Sequence, residues 1–408
     1  MEKIILFNVY KFELPIKKEL IVKNNKIHKR EGLLINIESS NGFSGFGEIS
    51  PLPFFHNESF DDAKLQVKEL KQNNFFLQKV ESLFKNPISF NSLFNSKNMV
   101  SKIPKKESCG ADFTKSFTGF LNKLNDIFSG IKIYPSVRSG FEMAIISLLF
   151  FNSGLEKSLK SIIDPTLPVC KLIMDLKKGL KKEILEIIKN EYKAIKIKVG
   201  RDLPEKEIYS INKIKTFILE NQLNTIKLRI DANSLWSLQE AIYFGKSISS
   251  TLIEYIEDPL SNIFEYEQFF KETGMPVALD EKLPDFIDLN KIIESNWKCP
   301  DYLKAIIIKP DFIGGFFKTA RLIKFARKNC IKPVLSNSFN SSLLISFIAL
   351  FASMMHINDI ALGLDSLNIF SENLLTEDIK IIKGKINILE IFKNIKKINF
   401  NLLSPAGF

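Results

Sequence analysis

Between about residue 165 and residue 365, short runs rich in Ile, Val and Leu recur along the chain. They fall at Lys171–Met174, Ala194–Val199, Ile226–Asp231, Ile253–Glu257, Val277–Asp280, Ala305–Lys309, Pro333–Ser336 and Ile360–Leu364. Each is short enough for a strand and apolar enough to be buried on both faces. Between them lie stretches with the period of an amphipathic helix, such as Leu235–Ser249 and Phe316–Asn329. Strand and helix alternating at roughly 25 residues per unit suit a doubly wound sheet or a closed barrel, and the eight-fold count favours the barrel. The first 130 residues follow a different pattern. Strand-like runs at Ile4–Phe12 and Glu31–Glu38 flank a polar turn at Asn24–Asn25. A loop dense in Gly and Pro covers Asn41–Pro53, and helical periodicity follows over Asp61–Leu83. The expected fold class is therefore α/β, with a (β/α)8-type barrel over residues 131–370 preceded by an α+β domain over 1–130. Residues 96–130 turn to Ser, Lys, Asn and Phe with weak periodicity, which reads as a surface insertion.

The charged positions at the ends of those runs carry the chemistry. Lys196 and Lys198 lie two apart on one strand and so point to the same side. Asp231, Glu257, Asp280 with Glu281, and Lys309 close the four strands that follow, each about one βα unit after the last. A barrel gathers such residues around one mouth, at the strands' C-terminal ends. Singly, an acid at a strand end is most often a helix N-cap. Five consecutive apolar strands each ending in charge are another matter, because charges aimed into a barrel need partners. Asp231, Glu257 and Asp280 offer three hard oxygen ligands suited to Mg²⁺. Lysines beside a divalent cation and beside each other have lowered pKa values, so one of them can serve as a neutral base.

Composition narrows the alternatives. The net charge is +11, but the lysines are spread along the chain and alternate with acids, as over Asp175–Lys193. No concentrated basic patch or nucleic-acid motif accompanies them, so no nucleic-acid partner is expected. The excess of Lys, Ile, Asn and Phe, with 36 Phe against 2 Trp, matches AT-rich codons and so a low-GC genome. The glycines of Asn41–Pro53 do not form GxGxxG, and no helix opens directly after them, which argues against a dinucleotide site. Cys109, Cys170, Cys299 and Cys330 show no metal-ligand spacing and read as free thiols. No run is long enough to span a membrane. Without a signal or transit pattern at Met1–Phe12, the expected place is the cytoplasm, or the plastid stroma for an organelle-encoded chain.

The order KxK, DAN, EDP, DE and KP resembles the enolase superfamily, in the muconate-lactonising subgroup with lysines on barrel strands two and six. No histidine stands at a barrel strand end, the three being His28, His56 and His356. Three segments are similar to the o-succinylbenzoate synthase family: Gly45–Pro53 (GFGEISPLP), Leu335–Ser342 (LSNSFNSS) and Leu362–Leu367 (LGLDSL). That resemblance implies a Mg²⁺-dependent lyase with an N-terminal capping domain and a C-terminal segment, 371–408, packed back on it. The reaction implied is a dehydration on the way to menaquinone or phylloquinone, with Mn²⁺ able to replace Mg²⁺.

The same resemblance implies roles for individual residues. Lys198 is the acid/base, Lys196 its neighbour, and Lys309 faces the substrate, a small-molecule carboxylate, from the other side. Asp231, Glu257 and Asp280 hold the metal, and Asn233 and Glu281 orient them. Ser336, Ser338 and Gly363 line the pocket, Arg229 contacts a second carboxylate, and Gly45, Gly47 and Ser50 form a loop over the mouth. An N-succinylamino acid racemase or dipeptide epimerase would share every catalytic residue. A non-enzymatic protein with a basic binding surface is the remaining alternative.

Overall fold

The computed structural model describes residues 4–23, 25–85, 106–152, 163–176, 180–288 and 298–408. Strands β1 (Ile4–Val22), β2 (Asn25–Ser39) and β3 (Ser44–Ile49) form an antiparallel meander. The first hairpin turns at Lys23, which has φ +45°. Leu33, Leu34, Ile35 and Ile37 of β2 are buried. The helix Pro135–Asn152 lies against β3, and glycine makes that approach possible. A Cβ on Gly45 would strike the Ala144 carbonyl, and one on Gly47 the Gly140 carbonyl. Gly47→Ala should therefore cost about 1–3 kcal/mol as an overpacked contact, read as a lower thermal midpoint. An unchanged midpoint would mean that the helix yields without cost.

The expected helix over Asp61–Leu83 is two helices, Phe60–Gln72 and Asn74–Lys85. A capping box between Ser59 and Asp62 starts the first. The break falls at Asn73, whose side-chain oxygen accepts from the Phe76 N–H.

The surface insertion needs correcting. Part of it, 96–105, lies outside the described residues, but Lys106–Ile127 is a helix. Phe117, Phe120, Leu121, Leu124, Ile127 and Phe128 are buried in the main core. The Phe117 ring lies 5.8 Å from both Phe150 and Phe351, so the helix joins the N-terminal domain to the outer helices of the barrel. Aromatic side chains in a segment of weak period were the sign of burial.

The strand β4 (Thr166–Pro168) precedes seven parallel strands in chain order: β5 (Lys171–Ile173), β6 (Ala194–Lys198), β7 (Lys227–Asp231), β8 (Ile253–Glu257), β9 (Val277–Leu279), β10 (Leu303–Ile308) and β11 (Lys332–Leu335). The eighth position is held by two parallel bridges, Ser336 to Gly363 and Val169 to Leu362. These join the two edges of the curled sheet, and the expected α/β barrel is borne out with seven full strands and a minimal eighth. Two short strands follow, β12 (Ile381–Ile382) and β13 (Lys385–Asn387), with β13 pairing to β4. Finally β14 (Leu403–Pro405) runs antiparallel to β1, placing Tyr10 opposite Pro405. The C-terminus thus completes the N-terminal sheet.

Candidate active site

Register brings the charged residues together. Lys198 on β6 is paired with Asp231 on β7, and Asp231 with Glu257 on β8. Glu257 is level with Ala278 on β9, and Asp280 comes two residues later on the same side. Lys196 Nζ lies 2.7 Å from Asp231 Oδ2 and 2.6 Å from Glu257 Oε1. Lys198 Nζ lies 2.5 Å from Asp231 Oδ2 and donates to Asn233 Oδ1 at 2.9 Å. Across the mouth, Lys309 Nζ is 2.5 Å from Asp280 Oδ2.

The three lysines are not equivalent. Burial favours the neutral form of Lys196, but Asp231, Glu257 and Asp280 overcome it and hold its pKa well above the ordinary lysine value. Lys309 is likewise raised, burial being outweighed by Asp280. Lys198 alone is lowered, by burial first and then by the Lys196 and Lys309 charges, against the pull of Asp231. Asp231 is held far below the usual carboxylate range: burial opposes this, and Lys196 and Lys198 prevail. Glu257 is pushed up by burial and by the charge of Asp231.

Among the described residues, no three His, Cys, Asp or Glu side chains stand close enough to hold a cation as they are placed. Lysine heads neutralise the carboxylates instead. The donors still suit a hard divalent ion. Glu257 Oε2 and Asp280 Oδ1 are buried without a hydrogen-bond partner, which costs free energy unless something positive meets them.

Several expected contacts turn out otherwise. Arg229 is enclosed, its Nε donating to Glu254 at 2.7 Å and its Nη1 to the Ala361 carbonyl at 2.6 Å. Its partner carboxylate is therefore part of the protein. The Glu281 side chain forms an ion pair at 3.0 Å with Lys23, at the tip of the β1–β2 hairpin. Ser338 is buried and its hydroxyl donates to Asp311, so it scaffolds the loop after β11. Ser336 and Gly363 are brought together at the barrel seam, where the serine hydroxyl donates to the glycine carbonyl. Gly45 and Gly47 are packing positions on β3, as described above, and do not form a loop over the mouth.

The glycine- and serine-rich segments meet one another. Glu48 accepts from the Ser50 hydroxyl at 2.7 Å, and from the Ser341 N–H and hydroxyl at 3.1 and 2.5 Å. Asn340 bridges the Ser50 hydroxyl and Asp311, and buried Arg30 donates to the carbonyls of Ser50, Pro51 and Phe339. This network fastens the end of β3 to the loop after strand seven of the barrel. The turn that follows brings the Phe55 ring to 4.4 Å from Lys309 Nζ, a cation–π contact missing from the sequence reading. Only the adjacency of Phe54–Phe55 to Pro-Leu-Pro could have hinted at it. Beside Lys198 a cavity of about 1300 Å³ opens, with Leu20, Ile21, Leu172, Met174 and Ser366 in its wall.

A family model described as "Enolase C-terminal domain-like" matches residues 179–390, and one described as "MenC, N-terminal domain" matches residues 5–89. Among known proteins, o-succinylbenzoate synthase of Vibrio cholerae serotype O1 (strain M66-2) is 26% identical, over 90% of this chain and 91% of its own length. "Protein PHYLLO, chloroplastic" of Arabidopsis thaliana is 24% identical over 91% of this chain, which spans only 22% of that longer protein. The solved structure of MenC from Desulfotalea psychrophila LSv54 superposes with a TM-score of 0.68 at 18% identity, over 93% of this chain and 99% of the other. A dipeptide epimerase from Enterococcus faecalis V583, complexed with Mg and the dipeptide L-Leu-L-Tyr, gives 0.68 at 17% identity, over 95% and 97%. At these identities the two structures speak for the fold alone.

Proposed function

This chain belongs to the enolase superfamily, whose C-terminal-domain model covers more than half of it, and we propose that it is an o-succinylbenzoate synthase. The reaction is dehydration of 2-succinyl-6-hydroxy-2,4-cyclohexadiene-1-carboxylate to o-succinylbenzoate, a carbon–oxygen lyase step toward menaquinone or phylloquinone. The observation that carries this reading is two lysines at the barrel mouth, Lys198 on β6 paired with Asp231 and Lys309 after β10 paired with Asp280, with buried Glu257 at the end of the strand between those two acids. The synthase is favoured over the racemase and epimerase by the N-terminal match to the MenC family and by relatives of that name aligned over nearly their whole length.

In this reading neutral Lys198 takes the proton from the ring carbon that bears the carboxylate. The ammonium so formed gives a proton to the hydroxyl at the adjacent carbon. The C–H and C–O bonds break, water leaves, and the ring becomes aromatic. Lys309, held charged by Asp280, remains a cation on the opposite face. Lys196 keeps its charge beside Asp231 and Glu257, and Asn233 orients the Lys198 head. Asp231, Glu257 and Asp280 would hold Mg²⁺, with Mn²⁺ as a substitute; when bound it would supply positive charge to the substrate carboxylate as negative charge develops there. Ser336 and Gly363, at the mouth end of the barrel seam, are the candidates to flank the succinyl arm.

The deciding experiment incubates the protein with the cyclohexadiene substrate, and separately with an N-succinylamino acid and a dipeptide, with and without Mg²⁺. Dehydration that stops in excess chelator and returns with Mg²⁺ is the expected result, and Asp231→Asn should weaken both metal binding and turnover. Epimerisation or racemisation without dehydration would replace the proposal. Full activity in excess chelator would remove the metal.

A further inference from the structure

We infer that Asp258, the residue after the β8 carboxylate, is a positioning residue for the cation site, acting through the backbone of Asp280. The inference deepens the proposed function and rests on it for the identity of the metal. Asp258 is only 1% exposed and sits at φ +38°, a left-handed conformation that a residue with a side chain rarely adopts. Asp tolerates it better than most residues. From this bend the Asp258 carboxylate reaches the backbone just after β9.

There it collects three consecutive N–H groups. Oδ1 accepts from Asp280 at 3.2 Å, while Oδ2 accepts from Glu281 at 2.7 Å and Lys282 at 3.3 Å. Tyr266 points its hydroxyl at Oδ1 from 3.5 Å. The Asp258 backbone works in the same direction: its N–H donates to the Ala278 carbonyl, and its carbonyl accepts from Ser234 N–H at 2.7 Å. One residue therefore ties together the strand ends that carry Asn233, Glu257 and Asp280. The Asp280 side chain pairs with Lys309, but that contact leaves the backbone from which the carboxyl projects free to shift. Fixing three successive amides beneath it removes that freedom.

Asn at position 258 has nearly the same shape but replaces one acceptor oxygen with an NH₂ group. That group must then face an N–H donor, so at least one anchor is lost. Groups that orient metal ligands typically change affinity by about 10–100-fold when removed. Asp258→Asn should weaken Mg²⁺ binding within that range, measured by calorimetry on the full chain with the metal alone. Saturating Mg²⁺ should restore much of the lost turnover, as expected for weakened ligation with the base intact. In parallel, hydrogen exchange at the amides of 280–282, measured without metal, should accelerate. A residue that only stabilised the fold would lower the thermal midpoint and leave the Mg²⁺ affinity of the folded protein unchanged.

Equal Mg²⁺ affinity in wild type and variant would overturn the inference, as would unchanged exchange. Should Asp258→Asn not fold, Asp258→Ser leaves room for water to meet the freed amides and is judged by the same two readings. A wild-type protein that binds no Mg²⁺ would defeat the functional reading and the metal role of Asp258 with it, while accelerated exchange would still establish the anchor.

Discussion

Lys198→Ala should lower turnover at least ~10³-fold, the scale expected when a positioned acid/base is deleted. The reason is specific to this lysine. Burial and two neighbouring cations hold it below the ordinary lysine value, so its neutral form is the accessible base, and Ala has nothing to take its place. The rate should rise with pH as Lys198 loses its proton, and that rise should come at lower pH than for an exposed lysine. Lys309→Arg should behave differently. Asp280 favours the charged form of Lys309, and Arg preserves that charge while changing its shape. Electrostatic stabilisation of developing charge tolerates a displaced cation better than proton transfer does, so measurable activity should survive. The Phe55 ring, 4.4 Å from Lys309 Nζ, is the neighbour that must move for the larger head. Both variants are best assayed in one Mg²⁺ buffer, with metal binding checked for each. An active Lys198→Ala protein would refute the base; a dead Lys309→Arg that still binds Mg²⁺ would make Lys309 a proton carrier.

Exchanging Ser96–Phe128 for a Gly/Ser linker should leave a protein that does not fold. As a composition pattern this stretch looks dispensable. In the structure its second half supplies six buried apolar side chains from Phe117 to Phe128, and Phe117 packs on Phe150 and Phe351. Phe117→Ala alone should cost about 3–5 kcal/mol, the usual penalty for emptying a buried phenylalanine site. Thermal unfolding of the point variant and soluble yield of the linker variant measure the two effects. A linker protein that is soluble with a near-native midpoint would return the segment to the surface.

What could be read in advance was whatever repeats or sits at a strand end. Burial on both faces demands the apolar runs of β6 to β11, and their spacing carried the barrel. Lys196, Lys198, Asp231, Glu257, Asp280 and Lys309 stood out because charge directly after such a run is unusual. Arg229 shows where this logic stops. Its position, two residues before Asp231 on the same face, was correctly legible, but its partner Glu254 lies on the next strand beside a register shift that no spacing reveals. The Ser- and Gly-rich segments were recognisable as motifs, yet their polar groups are spent within the protein, Glu48 on Ser341 and Ser338 on Asp311.

The alternation of strand and helix, the identity of the charged strand ends and the family were all legible along the chain. Those follow from local periodicity and from which residues can bear burial. Which lysine is lowered follows from folding, because burial and the charges of Asp231, Glu257 and Lys309 reach Lys198 from other parts of the barrel. The tertiary structure also decided that the eighth strand shrinks to two bridges, that β14 returns to β1, and that Asp258 lies beneath Asp280. Each of these pairs residues distant in the chain, and such pairs become neighbours only when the sheet closes.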